Sequence, residues 1–159
     1  GGAINVPGNV HEADPSLAQQ KAEWNFYIDP YAAQQVLNSG VAITLVPLDV
    51  TNQVPLDMNF YKQIESWGNT AEGSFLYNLL TQNKAMLLNH LWYFWDPLAA
   101  AIAVNPSIAK IKTLPITVVQ EPEIWSGATV VDRHKGRPIQ VCMKVDSRKF
   151  KSLLLEMTI

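Results

Sequence analysis

Residues 41–50 read "VAITLVPLDV", a continuous apolar run with almost no polar interruption. A half-buried strand alternates, because successive side chains point to opposite faces. An unbroken run predicts a strand covered on both faces, as in a parallel sheet flanked by helices. The preceding segment agrees with this. In "IDPYAAQQVLNSG", residues 28–40, Asp29 is placed as an N-cap, Pro30 suits the first helical turn and Gly40 lies just past the end. A helix leading into a buried strand predicts an α/β fold.

Residues 1–22, with three Gly and two Pro and no usable periodicity, read as a long loop. Beyond the central run, "TNQVPLD" turns the chain, with Thr51 available as a cap. Residues 57–66 and about 71–92 read as helices, the second carrying Phe75, Leu76, Leu79, Leu80 and Leu87 at helical spacing. Asp96-Pro97 repeats the Asp-Pro start and predicts a helix over 97–104, ending before Asn105-Pro106. Three β-like segments follow, at 112–120, 126–133 and 137–145, with an antiparallel pairing and a turn at "RHKGRP" before the third. "DSRKFKSLLLEMTI", residues 146–159, reads as a closing helix capped by Asp146 or Ser147. One convincing central parallel strand is fewer than a doubly wound sheet normally has. That count, and an opening "GGAINVPGN" without methionine, predict that a first half is missing from this chain.

The chain has 159 residues, which suits one domain. Hydrophobic residues make up 48% and charged residues 16%, enough apolar material for a core and against disorder. A net charge of −2 argues against a duplex nucleic-acid partner. The longest apolar runs are too short to cross a bilayer, and no secretory leader is visible, so neither a membrane nor export is expected. The single cysteine, Cys142, lies in "IQVCMKV" and reads as a buried inert thiol. A reducing, cytoplasmic setting is the expectation.

Ligands of α/β folds bind where strands end and helices begin. Asn9 in the glycine-rich loop, Glu23 and Asn25 on either side of Trp24, Asp96 before a helix and Asp49 in the central run occupy such places. Each has a structural reading beside the functional one. Asp29 and Asp96 make good N-caps worth about 1 kcal/mol apiece. Asn9 can serve its turn, Glu23 can be a surface acid, and Trp92 and Trp95 can be core. The stretch "HLWYFWDPLAAAIAVNP", residues 90–106, crowds Trp92, Tyr93 and Trp95 ahead of one acid. It is either a capped helix wedged into a core or a pocket that grips a flat ring beside a charge. His11, His90 and His134 share no metal-ligand spacing, which argues against zinc. Neither a Gly-x-Ser-x-Gly elbow nor a phosphate-cradling glycine pattern occurs.

Four pieces in order, "GGAINVPGNV", "AEWNFYIDPYAAQQVLNSG", "ITLVPLDVT" and "WDPLAA", resemble the second half of the nucleoside hydrolases, calcium-dependent N-ribohydrolases of the inosine–uridine family. The resemblance runs by motif to about residue 104 and more loosely to the end. It implies a portion of a Rossmann-like open sheet with helices on its faces and a C-terminal β-hairpin and helix. Residues 1–159 would then form the C-terminal part of a single domain, without the family's N-terminal Asp-rich metal loop. Asp96 matches the one metal-ligand aspartate of that half, toward Ca2+. Asn9, Glu23 and Asn25 match ribose-holding residues, the first two toward the 5′-hydroxyl and Asn25 toward the 2′,3′ side.

Where many members carry a histidine before the metal aspartate, this chain has Trp95, and it has "AEWN", with Trp24, in place of a phenylalanine version. Both imply the purine-preferring branch, in which an indole stacks on the departing base. The implied activity is hydrolysis of purine ribonucleosides to ribose and free base, in purine salvage, by an oligomeric enzyme. Alone, the chain is expected to be inactive and to need its N-terminal half or a partner chain. Two alternatives stand beside this: an inactive nucleoside-binding or assembly module, and an unrelated α/β domain whose polar cluster is structural.

Overall fold

Pro47 interrupts the run that suggested the fold. In this computed structural model, which describes residues 1–66, 70–89 and 91–156, the regular strand within 41–50 is only β1, Thr44–Leu45. Proline has no N–H to give to a ladder. Past it the chain curls into a short helix at Leu48–Thr51. The expectation of burial on both faces is corrected: Thr44 is exposed and Val41 stands 64% exposed, whereas residues 45–50 are buried. The parallel pairing is as expected.

The described residues form two compact units, 1–50 with 109–144, and 51–108 with 145–159. In the first, the opening loop is broken by a helix α1, Val10–Ala13. After it come α2, Trp24–Ile28, and α3, Pro30–Asn38. Asp29 starts α3 as expected, its carboxylate accepting from the amide of Ala32 at 2.8 Å. The sheet contains β1, β2 (Ala109–Val118), β3 (Thr129–Val131) and β4 (Arg137–Val145) in the order β1-β4-β2-β3. Leu45 of β1 lies beside Val141 in parallel register, and Ile116 of β2 faces Val131 of β3 in antiparallel register. Leu37 of α3 packs with Leu45, Ile116, Val118, Ile139 and Val141 in this unit's core. Gln34 pins α3 to the sheet, its Oε1 accepting from the hydroxyl of Thr117 and the amide of Val118. Cys142 is buried, and that burial pushes its thiol pKa up. The molecule is a mixed α/β structure with a four-stranded open sheet.

With the helix at 48–51 numbered α4, the second unit contains α5 (Met58–Glu65), α6 (Ala71–Gln82), α7 (Lys84–Leu88), α8 (Trp95–Val104) and α9 (Ser147–Glu156). Asp57 caps α5 on the amide of Phe60 at 2.8 Å and lies 3.4 Å from the ammonium of Lys151. Two expectations change here, and one open alternative is settled. Thr51 is no cap: it ends α4 with its hydroxyl buried and without a hydrogen bond among the described residues. The single helix over 71–92 is broken at Asn83, whose side-chain amide donates to the carbonyl of Leu79 and competes with the helical ladder. Its stretch at His90 lies outside the described residues. For α9, the choice of caps falls to Asp146, which accepts from the amide of Lys149 at 3.1 Å; residues 157–159 of that expected helix also lie outside the description. Phe60, Phe94 and Phe150 meet edge to face, with centroids 4.9 and 5.2 Å apart, in the core of this unit. Among the described residues no helix is long and apolar enough to cross a membrane.

Candidate functional site

Gly2 has φ +79°, a conformation that costs glycine little and other residues much. Its turn brings the Gly2 amide to Oε2 of Glu23 at 3.2 Å. Glu23 is the N-cap of α2, and its carboxylate also accepts from the amides of Asn25 and Phe26 and from the side chain of Asn25. The surface-acid reading of Glu23 is therefore corrected: the residue is 4% exposed. Burial of a carboxylate is tolerable because several N–H groups point at it.

Asn9 joins the same cluster through Trp24, whose backbone amide donates to Oδ1 of Asn9 at 2.8 Å. The loop lies close against residues 20–22, since Gly8 donates to the carbonyl of Gln20 and Asn9 to that of Ala22. A Cβ on Gly8 would come within 1.9 Å of the Ala22 carbonyl oxygen, so only glycine fits there. Asn9, Glu23, Trp24 and Asn25 are thus gathered by one set of bonds. Asp49 does something else: it accepts from the amides of Ile4 and Asn5 at 2.8 Å and from the Asn5 side chain, which secures the opening loop.

Trp95 and Asp96 belong to the other unit. The N-cap reading of Asp96 is corrected, because α8 begins at Trp95 with Phe94 in the cap position and no side-chain cap bond. Asp96 sits within the first turn, exposed, and no hydrogen bond or ion pair engages its carboxylate among the described residues. The same dipeptide is used differently at Asp29, which caps α3. The aromatic stretch divides. Phe94 fills the core at 4% exposure, while Trp92, Tyr93 and Trp95 stay half-buried. Backbone bonds from Leu56 to Trp92 and from Phe94 to Val54 hold the stretch extended. The Trp95 ring lies 5.8 Å from Tyr93 at 50°, and its buried Nε1 has no acceptor among the described residues.

A hard cation takes oxygen ligands, and a carboxylate without an internal partner suits that use. Among the described residues, however, no group of three or more His, Cys, Asp and Glu is placed to hold a metal. Asp96 by itself offers a single carboxylate to such an ion. Sequence reasoning missed the close packing of the opening loop, in which Gly2 donates to Glu23, Asn5 to Asp49 and Gly8 to the carbonyl of Gln20. Its signal was the paired glycine at the start and the Pro-Gly-Asn turn, which mark close backbone approach and not merely a loop.

Comparison with known proteins gives one family. The family model described as inosine-uridine preferring nucleoside hydrolase matches residues 1–152. An inosine-uridine preferring nucleoside hydrolase of Leishmania major is 30% identical over 159 aligned residues, 96% of this chain and 50% of its own length. The crystal structure of the inosine-uridine preferring nucleoside hydrolase from Bacillus anthracis superposes with a TM-score of 0.84 at 30% identity, over 99% of this chain and 49% of that one. A purine-preferring ribonucleoside hydrolase from Gardnerella vaginalis follows at TM-score 0.78 and 32% identity, covering 99% of this chain and 49% of its own. The chain spans about half the length of these relatives.

Proposed function

We propose that this chain, which belongs to the inosine-uridine preferring nucleoside hydrolase family, serves the hydrolysis of ribonucleosides to ribose and free base, with a preference for purines. Cleaving an N-glycosidic bond requires a water activated at the anomeric carbon and an oxocarbenium-like ribose stabilised while the base leaves. Asn9, Glu23, Trp24 and Asn25 form the ribose-holding group, whose amide and acid groups match hydroxyls that both donate and accept. A site of this kind rejects sugars that lack those hydroxyls, since its polar groups would be left unpaired.

Asp96 would supply one ligand to calcium, and the bound ion would orient and polarise the attacking water. Calcium takes six to eight oxygens at about 2.3–2.6 Å. Asp96 would meet one of these, and the others would have to come from substrate and from carboxylates in a segment corresponding to the part of the relatives that this chain does not span. Trp95 has no acidic proton to give at neutral pH. It offers a ring face, on which a purine gains more than a pyrimidine because its own ring area is larger. The reading extends, on family grounds, to a cytoplasmic, oligomeric enzyme of purine salvage.

The observation that carries this reading is the carboxylate of Asp96, engaged by no hydrogen bond or ion pair among the described residues, beside half-buried Trp95. The test is release of base from inosine and from uridine by the protein joined to the remaining segment, with calcium or with a chelator. Calcium-dependent release that favours inosine is expected; release indifferent to chelation would overturn the metal role. A second reading, a nucleoside-binding or assembly module without turnover, is favoured by the single metal carboxylate. It predicts ribonucleoside binding that is independent of calcium.

A further inference from the structure

A cavity of about 430 Å³ in the first unit lies between residues 3–7, residues 20–21 and the turn that enters β3. None of Asn9, Glu23, Trp24 and Asn25 lines it. Its walls are braced by internal bonds. Buried Gln19 ties two of them together: its Nε2 donates to the carbonyl of Ser126 at 3.0 Å, and its Oε1 accepts from the amides of Lys21 at 2.6 Å and Ala22 at 3.3 Å. A bridge between Ala22 and Ala128 runs alongside. Asp49 holds the third wall through the amides of Ile4 and Asn5. A cavity fixed in this way is formed before anything enters it, as small-molecule sites usually are.

The lining combines three chemistries. Ile4, Val6, Pro7 and Val130 supply apolar surface. Trp125, on the short helical turn Glu123–Trp125, also lines the cavity and is 53% exposed. Gly127 permits that turn at φ +83°, where a Cβ would come within 2.6 Å of the Tyr27 Cα. An indole left half in water forgoes much of its burial energy unless something covers its face. Lys21 is the one charged residue of the lining among the described residues, and no ion pair engages its ammonium among them. We propose that this cavity binds a small planar aromatic carboxylate, its ring against Trp125 and its acid group toward Lys21. A flat ring covers the indole without moving the braced walls, and the cation selects an acid over a neutral arene. The apolar wall disfavours a hydrated body such as a sugar.

The test titrates 1-naphthoate and its neutral counterpart, 1-naphthalenemethanol, into the complete protein and into its Trp125→Ala, Lys21→Gln and Trp95→Ala variants by calorimetry. The unsubstituted protein is expected to bind the acid about threefold more tightly than the alcohol, the worth of an exposed charge pair. Lys21→Gln should erase that difference and leave the alcohol's affinity unchanged. Trp125→Ala should weaken both compounds about tenfold by removing the stacking face. Both side chains are exposed, so the melting temperature should hold in each variant and the losses report contact, not folding. Trp95→Ala should leave naphthoate binding unaltered. Failure of the unsubstituted protein to bind naphthoate, or binding indifferent to Trp125→Ala, would overturn the site. Binding lost in Trp95→Ala would also overturn it, by placing the ring where the nucleoside base is proposed to stack. Equal affinity for acid and alcohol would overturn the assignment of an anion.

Discussion

Asp29 and Asp96 each precede proline, yet only Asp29 uses its carboxylate to start a helix. Asp29→Ala should therefore lower stability by about 1 kcal/mol in urea denaturation, the usual worth of a cap, while Asp96→Ala should stay within about 0.5 kcal/mol of the parent. Equal losses would return Asp96 to a structural role. At this scale the sequence was informative about residue type and silent about orientation. An acid before proline reads as a cap in either place, and only the resemblance set Asp96 apart. The structural alternative for Glu23, a surface acid, fails, and nothing local announces that the Gly2 amide, 21 positions away, folds back onto it. Gly8 shows the same blindness: its need for glycine comes from the Ala22 carbonyl, a tertiary neighbour. Gly8→Ala should cost about 1–3 kcal/mol by overpacking, measurable as a lower denaturation midpoint.

Elements were legible where a local signal governs them. Asp29, Asp57 and Asp146 cap α3, α5 and α9, and each helix begins where its cap dictates. The run at 41–50 and the helix at 71–92 were overestimated for opposite reasons. Pro47 ends a ladder that hydrophobicity alone would continue, and Asn83 turns its side chain onto a backbone carbonyl that periodicity ignores. Two outcomes check the packing of these elements. Phe150 anchors α9 against Phe94 with no exposed surface, so Phe150→Ala should destabilise the protein by about 3–5 kcal/mol in chemical denaturation. Cys142 on β4 is buried and its thiol pKa is raised, so the reactive thiolate is scarce at neutral pH. Iodoacetamide should label it rapidly only after unfolding; fast labelling of the folded protein would contradict that burial.

For the whole molecule, the order of four short motifs was more informative than any element. Ligand chemistry constrains which residues stand at the site, whereas tertiary packing decides where helices and strands stop. Composition could exclude a duplex-binding or membrane-spanning reading but could not point to a sugar. The parallel β1–β4 pairing and the antiparallel β2–β3 pairing agree with the α/β expectation, although the run that suggested it holds only a two-residue strand. Everything functional converges on the claim that Asp96 holds the metal used in ribonucleoside cleavage. The most direct measurement is kcat/KM for inosine hydrolysis across a calcium titration, for the complete protein and for its Asp96→Asn variant. Loss beyond the ~100-fold that weakened ligand support can cause, with a calcium requirement shifted to higher concentration, is the predicted result. An Asp96→Asn protein with the parent's rate and calcium dependence would contradict it.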